Sequence, residues 1–334
     1  MEGFANLKFI DEPTYTKLRV GTDCSGIEAP IQALTQLGIP FTHVFSSDID
    51  KFCIQSIKAN YEPQILFGDK DGPFPDGDII KRSIEDIPDI DLYVCGFPCQ
   101  PFSQAGERKG FDDKRGNVFW SCLEVIEKKQ PKYFILENVK GLLGHDKPVG
   151  AKRKEYGKTF NVIWSALLEL KKYGYKVQWK VMNTRDYGIP QNRERVYFVG
   201  TKDDDFEWPE KVKMEDIKNY VDWNDNNCQK LPNKAEKHSE AFNHNQNAFF
   251  INIEWLHASK FPSAHIFSPC LMTTATDLWC FKKHRFANIK EMLLLQGFST
   301  SFSNVVSTTQ MKKQIGNSMS VNVVRLLINN LLKT

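Results

Sequence analysis

The sequence predicts an α/β fold, a sheet covered by helices on both faces, followed by a smaller irregular region. Three observations carry this expectation. Short apolar runs alternate with amphipathic stretches over the first 200 residues. Periodicity fades after Thr201, where Asn, Asp, Lys and aromatic residues become frequent. Helical periodicity then returns near Ile289. The run over 18–22 predicts a first strand, and 29–37 a helix that stops at Gly38. A second strand is expected over 42–47 and a second helix over 51–61. Leu92-Tyr93-Val94-Cys95 is apolar and β-prone, so 91–96 reads as a buried strand. A helix over 119–129 and a strand over 133–136 follow. A further helix is expected over 161–173, and two more strands over 176–182 and 195–200. Such alternation argues for parallel strands. The stretch 222–247 is polar and Asn-rich and reads as a long loop. Helices are expected again over 289–296, ending at Gly297, and over 320–332.

Composition narrows the class. The 334 residues are 41% hydrophobic and 25% charged, ordinary for a globular chain. No apolar run approaches the roughly 18 residues of a membrane span. The N-terminus lacks a basic segment followed by an apolar core. An intracellular location is therefore expected, cytoplasmic or nucleoid-associated, or in a host cell if the source is viral, with no membrane partner. Eight cysteines without a Cys-x-x-Cys pair argue against a disulfide scaffold and a zinc ribbon, and no metal is expected. A net charge of +3 permits a polyanionic partner without requiring one.

The sharpest chemical feature is Gly96-Phe97-Pro98-Cys99-Gln100-Pro101-Phe102-Ser103, directly after a buried strand. In a doubly wound sheet, ligands bind beyond the carboxyl ends of the strands, so Cys99 would be presented to that cleft. Pro98 stiffens the backbone before it. A lone cysteine is more often structural, and the octapeptide around it shifts the balance. Gly26, in the turn after the first strand, would let the backbone approach a ligand. Asp48 ends the second strand, where an acidic residue typically accepts ribose hydroxyls. Asp50 reads as a helix cap. Glu137-Asn138-Val139 follows the strand at 133–136, and Arg193 and Arg195 alternate ahead of another.

The octapeptide resembles motif IV of the cytosine-C5 methyltransferases. Other motifs follow in that family's order from about Arg19 to Val323, with 202–283 the exception. The resemblance implies a Rossmann-like S-adenosylmethionine (AdoMet) methyltransferase sheet. It implies methyl transfer from AdoMet to C5 of a flipped-out cytosine in double-stranded DNA, leaving S-adenosylhomocysteine. Cytosine C5 is a poor nucleophile. A thiolate added at C6 makes the ring enamine-like and able to take a methyl group at C5. By resemblance Cys99 supplies that thiolate, Glu137 meets N3, and Arg195 contacts O2. Arg193 supports the catalytic loop or the backbone phosphates. Asp23 to Ala29 corresponds to the glycine-bearing cofactor loop, with Cys24, Ser25, Gly26 and Ile27 at the cofactor. The family usually has Phe in place of Cys24 and further glycines in place of Glu28 and Ala29. Asp48 is implied at the ribose, with Ile49 against adenine. Asp78-Ile79 is the implied adenine contact, with Asp69 as a rival. Gly96, Pro98, Val118, Asn317 and Ser318 complete the implied cofactor set. Gln100, Ser103 and Arg115 are implied to touch DNA. The polar loop between Ser103 and Arg115, with Arg108, Lys109 and Lys114, is read as a lid. Lys290 to Phe298 resembles the motif that organises target recognition.

The domains expected are a catalytic domain over 1–200, a target-recognition domain over 201–305, and a segment over 306–334 returning to the first. The 202–283 region is not basic, with ten Lys and no Arg against thirteen Asp and Glu. Its Asn and Gln residues, or Lys282, Lys283 and Arg285, are candidate base contacts. Lys147, Lys152, Arg153, Lys154 and Lys158 are candidate phosphate contacts. The histidines from His238 to His284 are too irregularly spaced for a metal site. A tRNA cytosine-5 methyltransferase is the first rival. That branch usually carries Pro-Pro-Cys, against Phe97-Pro98-Cys99 here, and Cys-Phe-Thr, against Cys280-Phe281-Lys282. A catalytically silent homologue is the second, disfavoured because Cys99, Glu137 and Arg195 are all present. An NAD oxidoreductase is the third, disfavoured because position 28 is not glycine. Action as a monomer is expected, in a restriction–modification, viral or regulatory setting. Cys99→Ala should abolish methyl transfer while AdoMet binding survives. DNA carrying 5-fluorocytosine should trap a covalent complex with the unsubstituted chain, because fluorine cannot leave C5 as a proton does. Full activity of Cys99→Ala in a methyl-incorporation assay would remove Cys99 from the mechanism.

Overall fold

Strand direction and order follow from where the chain is apolar and how far it must travel between strands. The computed structural model describes residues 17–98, 118–147, 155–202, 205–244, 246–255, 266–273 and 277–333. Cys99, Gln100, Ser103 and Arg115 lie outside the described residues, as do the expected lid and Lys152 to Lys154.

The first half builds β1 (Leu18–Asp23), α1 (Ala29–Leu37), β2 (Phe41–Ser47), α2 (Lys51–Asn60), β3 (Ile65–Phe67) and β4 (Leu92–Cys95). It continues with α3 (Val118–Lys129), β5 (Tyr133–Val139), α4 (Lys158–Leu168), β6 (Lys176–Asn183) and β7 (Glu194–Thr201). The seven strands lie in the order β3-β2-β1-β4-β5-β7-β6. The chain leaves β1 for β2 and β3 on one side and returns to β4 on the other. The carboxyl ends of β1 and β4 therefore flank the switch point where an open sheet leaves a crevice.

β7 departs from the all-parallel expectation: it runs antiparallel to both β5 and β6. The reason is distance. Only 184–193 separate β6 from β7, and a parallel crossover needs a dozen or more residues. Its reversed direction brings the start of β7, not its end, to the carboxyl edge of β5.

Two apolar layers hold the sheet. In β4 the four residues alternate between them: Leu92 and Val94 join one core, Tyr93 and Cys95 the other, and all are buried. This continuous apolar run is the mark of a strand covered on both faces. One layer is built with α1 and with α9 (Val321–Leu331), the other with α3 and α4. α1 starts with Pro30 in its first turn and ends at Gly38, whose φ of 66° is one that glycine adopts freely.

Gly21 and Gly200 face aromatic residues on neighbouring strands. Gly21 pairs with Phe45 and Gly200 with Phe134. A Cβ at either position would stand about 2 Å from the ring, at 2.1 Å and 2.0 Å. The rings take the space that the glycines leave.

After Thr201 the chain stays on the first core for a time. Phe206, Ile217, Tyr220 and Val221 pack into it, and Asn330 donates to the Glu207 carbonyl. Beyond them lie α5 (Asn233–Lys237), α6 (Ser239–His244), β8 (Phe250–Asn252), β9 (Leu278–Cys280) and β10 (Arg285–Phe286). The three strands form a small antiparallel sheet, so this region is less irregular than its sequence suggests. Phe242, Ile251, Trp279 and Phe281 fill its own core. α7 (Ile289–Gln296) opens with a capping box, Asn288 with Glu291, and closes at Gly297. α8 (Thr308–Asn317), absent from the sequence reading, leads through Ser318 into α9. Among the described residues no helix is long and apolar enough to cross a membrane.

Gly200→Ala should overpack the Phe134 ring, which Tyr175 holds at 5.4 Å from the other side. A loss of about 1–3 kcal/mol is expected, read as a lower urea midpoint at unchanged slope. An unchanged midpoint would show that the ring can move aside.

Candidate active site

The crevice is built first by the turn after β1. Asp23, fully buried, accepts from both terminal nitrogens of Arg82 at 2.8 Å and from the Tyr93 hydroxyl at 2.7 Å. The Arg82 guanidinium lies over the Phe67 ring at 4.5 Å and the Phe45 ring at 5.3 Å. Burial works against its charge, but Asp23 outweighs it and the Arg82 pKa is raised. Ser25 ties the turn to β2: its Oγ accepts from the Ser47 amide at 2.9 Å. Glu28, where the resemblance expects glycine, has a φ of 60° and a buried carboxylate. Thr22 and Ser46 hydroxyls both donate to its Oε1, at 2.5 and 2.6 Å. Ile27 is buried beneath the turn and Cys24 is half-buried.

Asp48 closes the far side. Its carboxylate accepts from the Gly26 amide and the Asp50 amide, both at 2.8 Å. Burial pushes its pKa up against those two bonds. Ile49 beside it is 78% exposed, an apolar side chain left open at the crevice rim. Asp50 caps α2 through the Phe52 amide. Gly77 and Gly68 both press on the Asp48 carbonyl, where an added Cβ would stand 2.0 and 2.3 Å away. Asp78 follows Gly77, and Ile79 is buried. Asp69 follows Gly68 but is engaged by Lys58 at 2.9 Å.

Glu137 and Arg195 meet at the carboxyl end of β5. Arg195 is paired with Val139, which puts it on the same face as Glu137 and diagonal to it. Arg195 Nε stands 3.1 Å from Glu137 Oε1, and both side chains are largely buried. Burial pushes the Glu137 pKa up, with Arg195 and then Arg193 pulling against it. A Cβ on Gly96 would lie 3.5 Å from Glu137 Oε2 and 3.1 Å from Met319 Cε. The Asn138 amide donates to the Phe97 carbonyl at 2.9 Å, tying β5 to the segment that runs into Pro98. Pro98 is exposed, while Val118, at the start of α3, is half-buried against the core.

Two expectations need correction. Arg193 is 1% exposed, and its Nη atoms donate to the carbonyls of Leu271, Gly316 and Ser318 and to Cys270 Sγ. It has no free face for a backbone phosphate. Arg285 is no guanine reader: it is 1% exposed and forks onto Glu291 at 2.8 and 2.9 Å, with Asp225 beside it. Lys283 donates to the Trp223 carbonyl, and Lys282 is exposed over the Phe249 ring. Asn317 is exposed and Ser318 buried at the α8–α9 corner, next to Gly96 through Met319.

Arg82, Gln191, Gln296 and Met319 escaped the sequence reading as site residues. Gln191 is fully buried and binds Leu295, Gln296 and Leu271. Its place two residues before Arg193, directly after Pro190, was the available signal. Nothing local marked Arg82 as the partner of Asp23. Among the described residues no group of three or more His, Cys, Asp or Glu is placed to hold a metal ion.

A glycine turn and an acidic strand end at a switch point, with a buried carboxylate–guanidinium pair beside them, are features of an enzyme that uses a nucleotide-bearing cofactor. The model of the C-5 cytosine-specific DNA methylases matches residues 23–333. The chain is 37% identical over 326 residues to the type II methyltransferase M1.ScrFI of Lactococcus lactis subsp. cremoris, covering 90% of this chain and 75% of that one. It is 36% identical over 300 residues to the type II methyltransferase M.HaeII of Haemophilus aegyptius, covering 87% and 86%. Among solved structures, the S. pombe Dnmt2 methyltransferase superposes with a TM-score of 0.67 at 22% identity, covering 95% and 99%, a likeness of fold. The chain belongs to the C-5 cytosine-specific DNA methylase family. It is a DNA cytosine-C5 methyltransferase of the AdoMet-dependent kind.

Burial raises the Glu137 pKa above its ordinary value, so Glu137 keeps its proton to a higher pH in the folded chain than in the unfolded one. Its contribution to stability is present below the ordinary carboxyl pKa and is lost as pH rises through the raised value. Glu137→Gln should therefore melt progressively higher than the unsubstituted chain as pH rises from about 4 to 8. Parallel melting curves across that range would show that Arg195 cancels the burial.

Proposed function

We propose that the chain methylates cytosines flipped out of double-stranded DNA, with Cys99 as the nucleophile and Glu137 and Arg195 holding the ring. The observation that carries this reading is the buried Glu137–Arg195 pair beside Gly96. A protonated Glu137 donates to N3, drawing electrons from the ring as the thiolate adds at C6. Arg195, fixed diagonally to Glu137, meets O2 and stabilises charge developing there. Asn138 holds the Phe97 carbonyl, and so the approach to Cys99. A base must then take the C5 proton before Cys99 leaves; water is suited to that. A stacked, paired cytosine hides C6, so extrusion from the duplex is required.

The crevice fits AdoMet. Gly26 faces open space, where its absent Cβ meets nothing within 4 Å. Asp48 offers a carboxylate to ribose hydroxyls, and exposed Ile49 an apolar face to adenine. Bound there, AdoMet supplies an electrophilic sulfonium methyl. Cys24, Ser25 and Ile27 shape the turn, Asp78 and Ile79 hold the adenine edge, and Gly96, Pro98, Val118, Asn317 and Ser318 line the rest. Asp78 is preferred to Asp69 on its spacing to the Cys99 motif; each carboxylate has a lysine beside it, Lys81 at 3.2 Å and Lys58 at 2.9 Å. The Arg82–Asp23 fork also anchors the turn that carries Asp78. Gln100, Ser103 and Arg115 are assigned to DNA. Arg193 is a positioning residue. We divide the chain into a catalytic part over 1–200 closed by 306–334, and a recognition part over 201–305, acting as a monomer. The type II relatives support a restriction–modification setting.

Base-resolution bisulfite sequencing of DNA from a methylation-free host expressing the chain, with Cys99→Ala alongside, tests the reading. Protection is expected in one recurring short context and is lost in the variant. Unprotected DNA from folded, AdoMet-binding protein, with protected tRNA, would overturn the choice of DNA as substrate.

A further inference from the structure

One guanidinium bridges the two sides of the site. The segment 266–273 runs past the start of β7: Ser268 donates to the Pro190 carbonyl at 2.7 Å, and Asn192 donates to the Ser268 carbonyl at 2.9 Å. It belongs to the recognition region. Arg193 Nη1 donates to Leu271 O at 2.7 Å and Cys270 Sγ at 3.4 Å in this segment. Arg193 Nη2 donates to Gly316 O at 3.0 Å and Ser318 O at 2.7 Å at the α8–α9 corner. The fork is planar and rigid, so neither segment can shift without disturbing the bonds to the other.

A second bridge runs beside it. Gln191 Oε1 accepts from the Leu271 amide at 3.2 Å, while its Nε2 donates to Gln296 Oε1 at 2.9 Å. Gln296 Nε2 donates in turn to Ser318 O at 2.6 Å. Between the bridges the backbones touch: a Cβ on Gly316 would lie 2.5 Å from the Met272 carbonyl. A role in stability alone would not call for a buried cation. Burial lowers the Arg193 pKa, Glu137 pulls against it through its charge, and the hydrogen bonds of Arg193 among the described residues go to carbonyls and a thiol. The charge lets one side chain hold carbonyls of two segments at once.

We propose that Arg193 couples the recognition segment 266–273 to the α8–α9 corner, so that occupying the cofactor side orders the DNA side and the reverse. The inference rests on the assignment of Asn317 and Ser318 to the cofactor side. Linkage makes the coupling reciprocal: whatever cofactor binding does for DNA, DNA does for the cofactor.

Hydrogen exchange on the full chain, with and without saturating S-adenosylhomocysteine, tests this. In the unsubstituted chain the amides of Cys270, Leu271 and Met272 should exchange about fivefold more slowly with the ligand bound. The amides of 316–319 should slow with them. In Arg193→Lys a single ammonium cannot fork across both segments. There the ligand should still slow 316–319 but leave 270–272 unchanged. A response at 316–319 without one at 270–272 in the unsubstituted chain overturns the coupling and leaves the cofactor reading intact. So does an equal response at 270–272 in Arg193→Lys. No response at either segment overturns both. Should Arg193→Lys fail to fold, Gly316→Ala, which drives a methyl group into the Met272 carbonyl, should lose the same response.

Discussion

A buried guanidinium that hydrogen-bonds to backbone carbonyls and a thiol is the constraint on which this architecture turns. An uncompensated cation in an apolar core is costly, so Arg193 must keep its carbonyl partners close. Those partners lie on two stretches far apart in sequence: the recognition segment at Leu271, and the α8–α9 corner at Gly316 and Ser318. Holding them together fixes how the C-terminal helices meet the sheet. It thereby fixes where Met319 sits against Gly96 and the Glu137 carboxylate.

The same device recurs at two other places with carboxylates as partners. Arg82 and Asp23 lock the 78–82 turn to the end of β1, between two aromatic rings. Arg285 and Glu291 lock the 222–225 loop to the start of α7, where Glu291 also completes the capping box. Each pair joins a loop to a rigid element. Loops alone would place functional groups loosely. Forked hydrogen bonds supply geometric precision that a point charge would not.

Elements that carried their own punctuation were legible from the sequence. α1 and α7 fall where Gly38 and Gly297 end them, and β4 is marked by four apolar residues in a row. β3 escaped because three residues are too few to show a period. α8 escaped because only Met311 and Ile315 mark its buried face among polar neighbours. The direction of β7 was available from the short gap before it, but strand alternation was followed instead. In the site, residue types at strand ends could be read. Glu137 and Arg195 were named separately, and the diagonal register that brings them together is a tertiary fact. Arg285, and Arg193 as a phosphate contact, were misjudged for a common reason: an arginine in a sequence looks solvent-facing until its buried acceptors are known.

The reversed course of β7 has a consequence for how the enzyme can be varied. Eight residues of strand carry the chain roughly 27 Å from the crevice to the opposite rim of the sheet. The polypeptide leaves there at Thr201 and follows the first core as far as Val221, bonding to the 184–193 turn on the way through the Val212 and Glu215 amides, and it meets that turn again at Ser268, beside Asn192. Both feet of the excursion are clamped, one by packing and the other by backbone bonds and Arg193. What lies between is tied to the chain beyond it as well, so a change of length there is tolerable only where it leaves the β8–β9 pairing and the Arg285 bond to the Asp222 carbonyl intact.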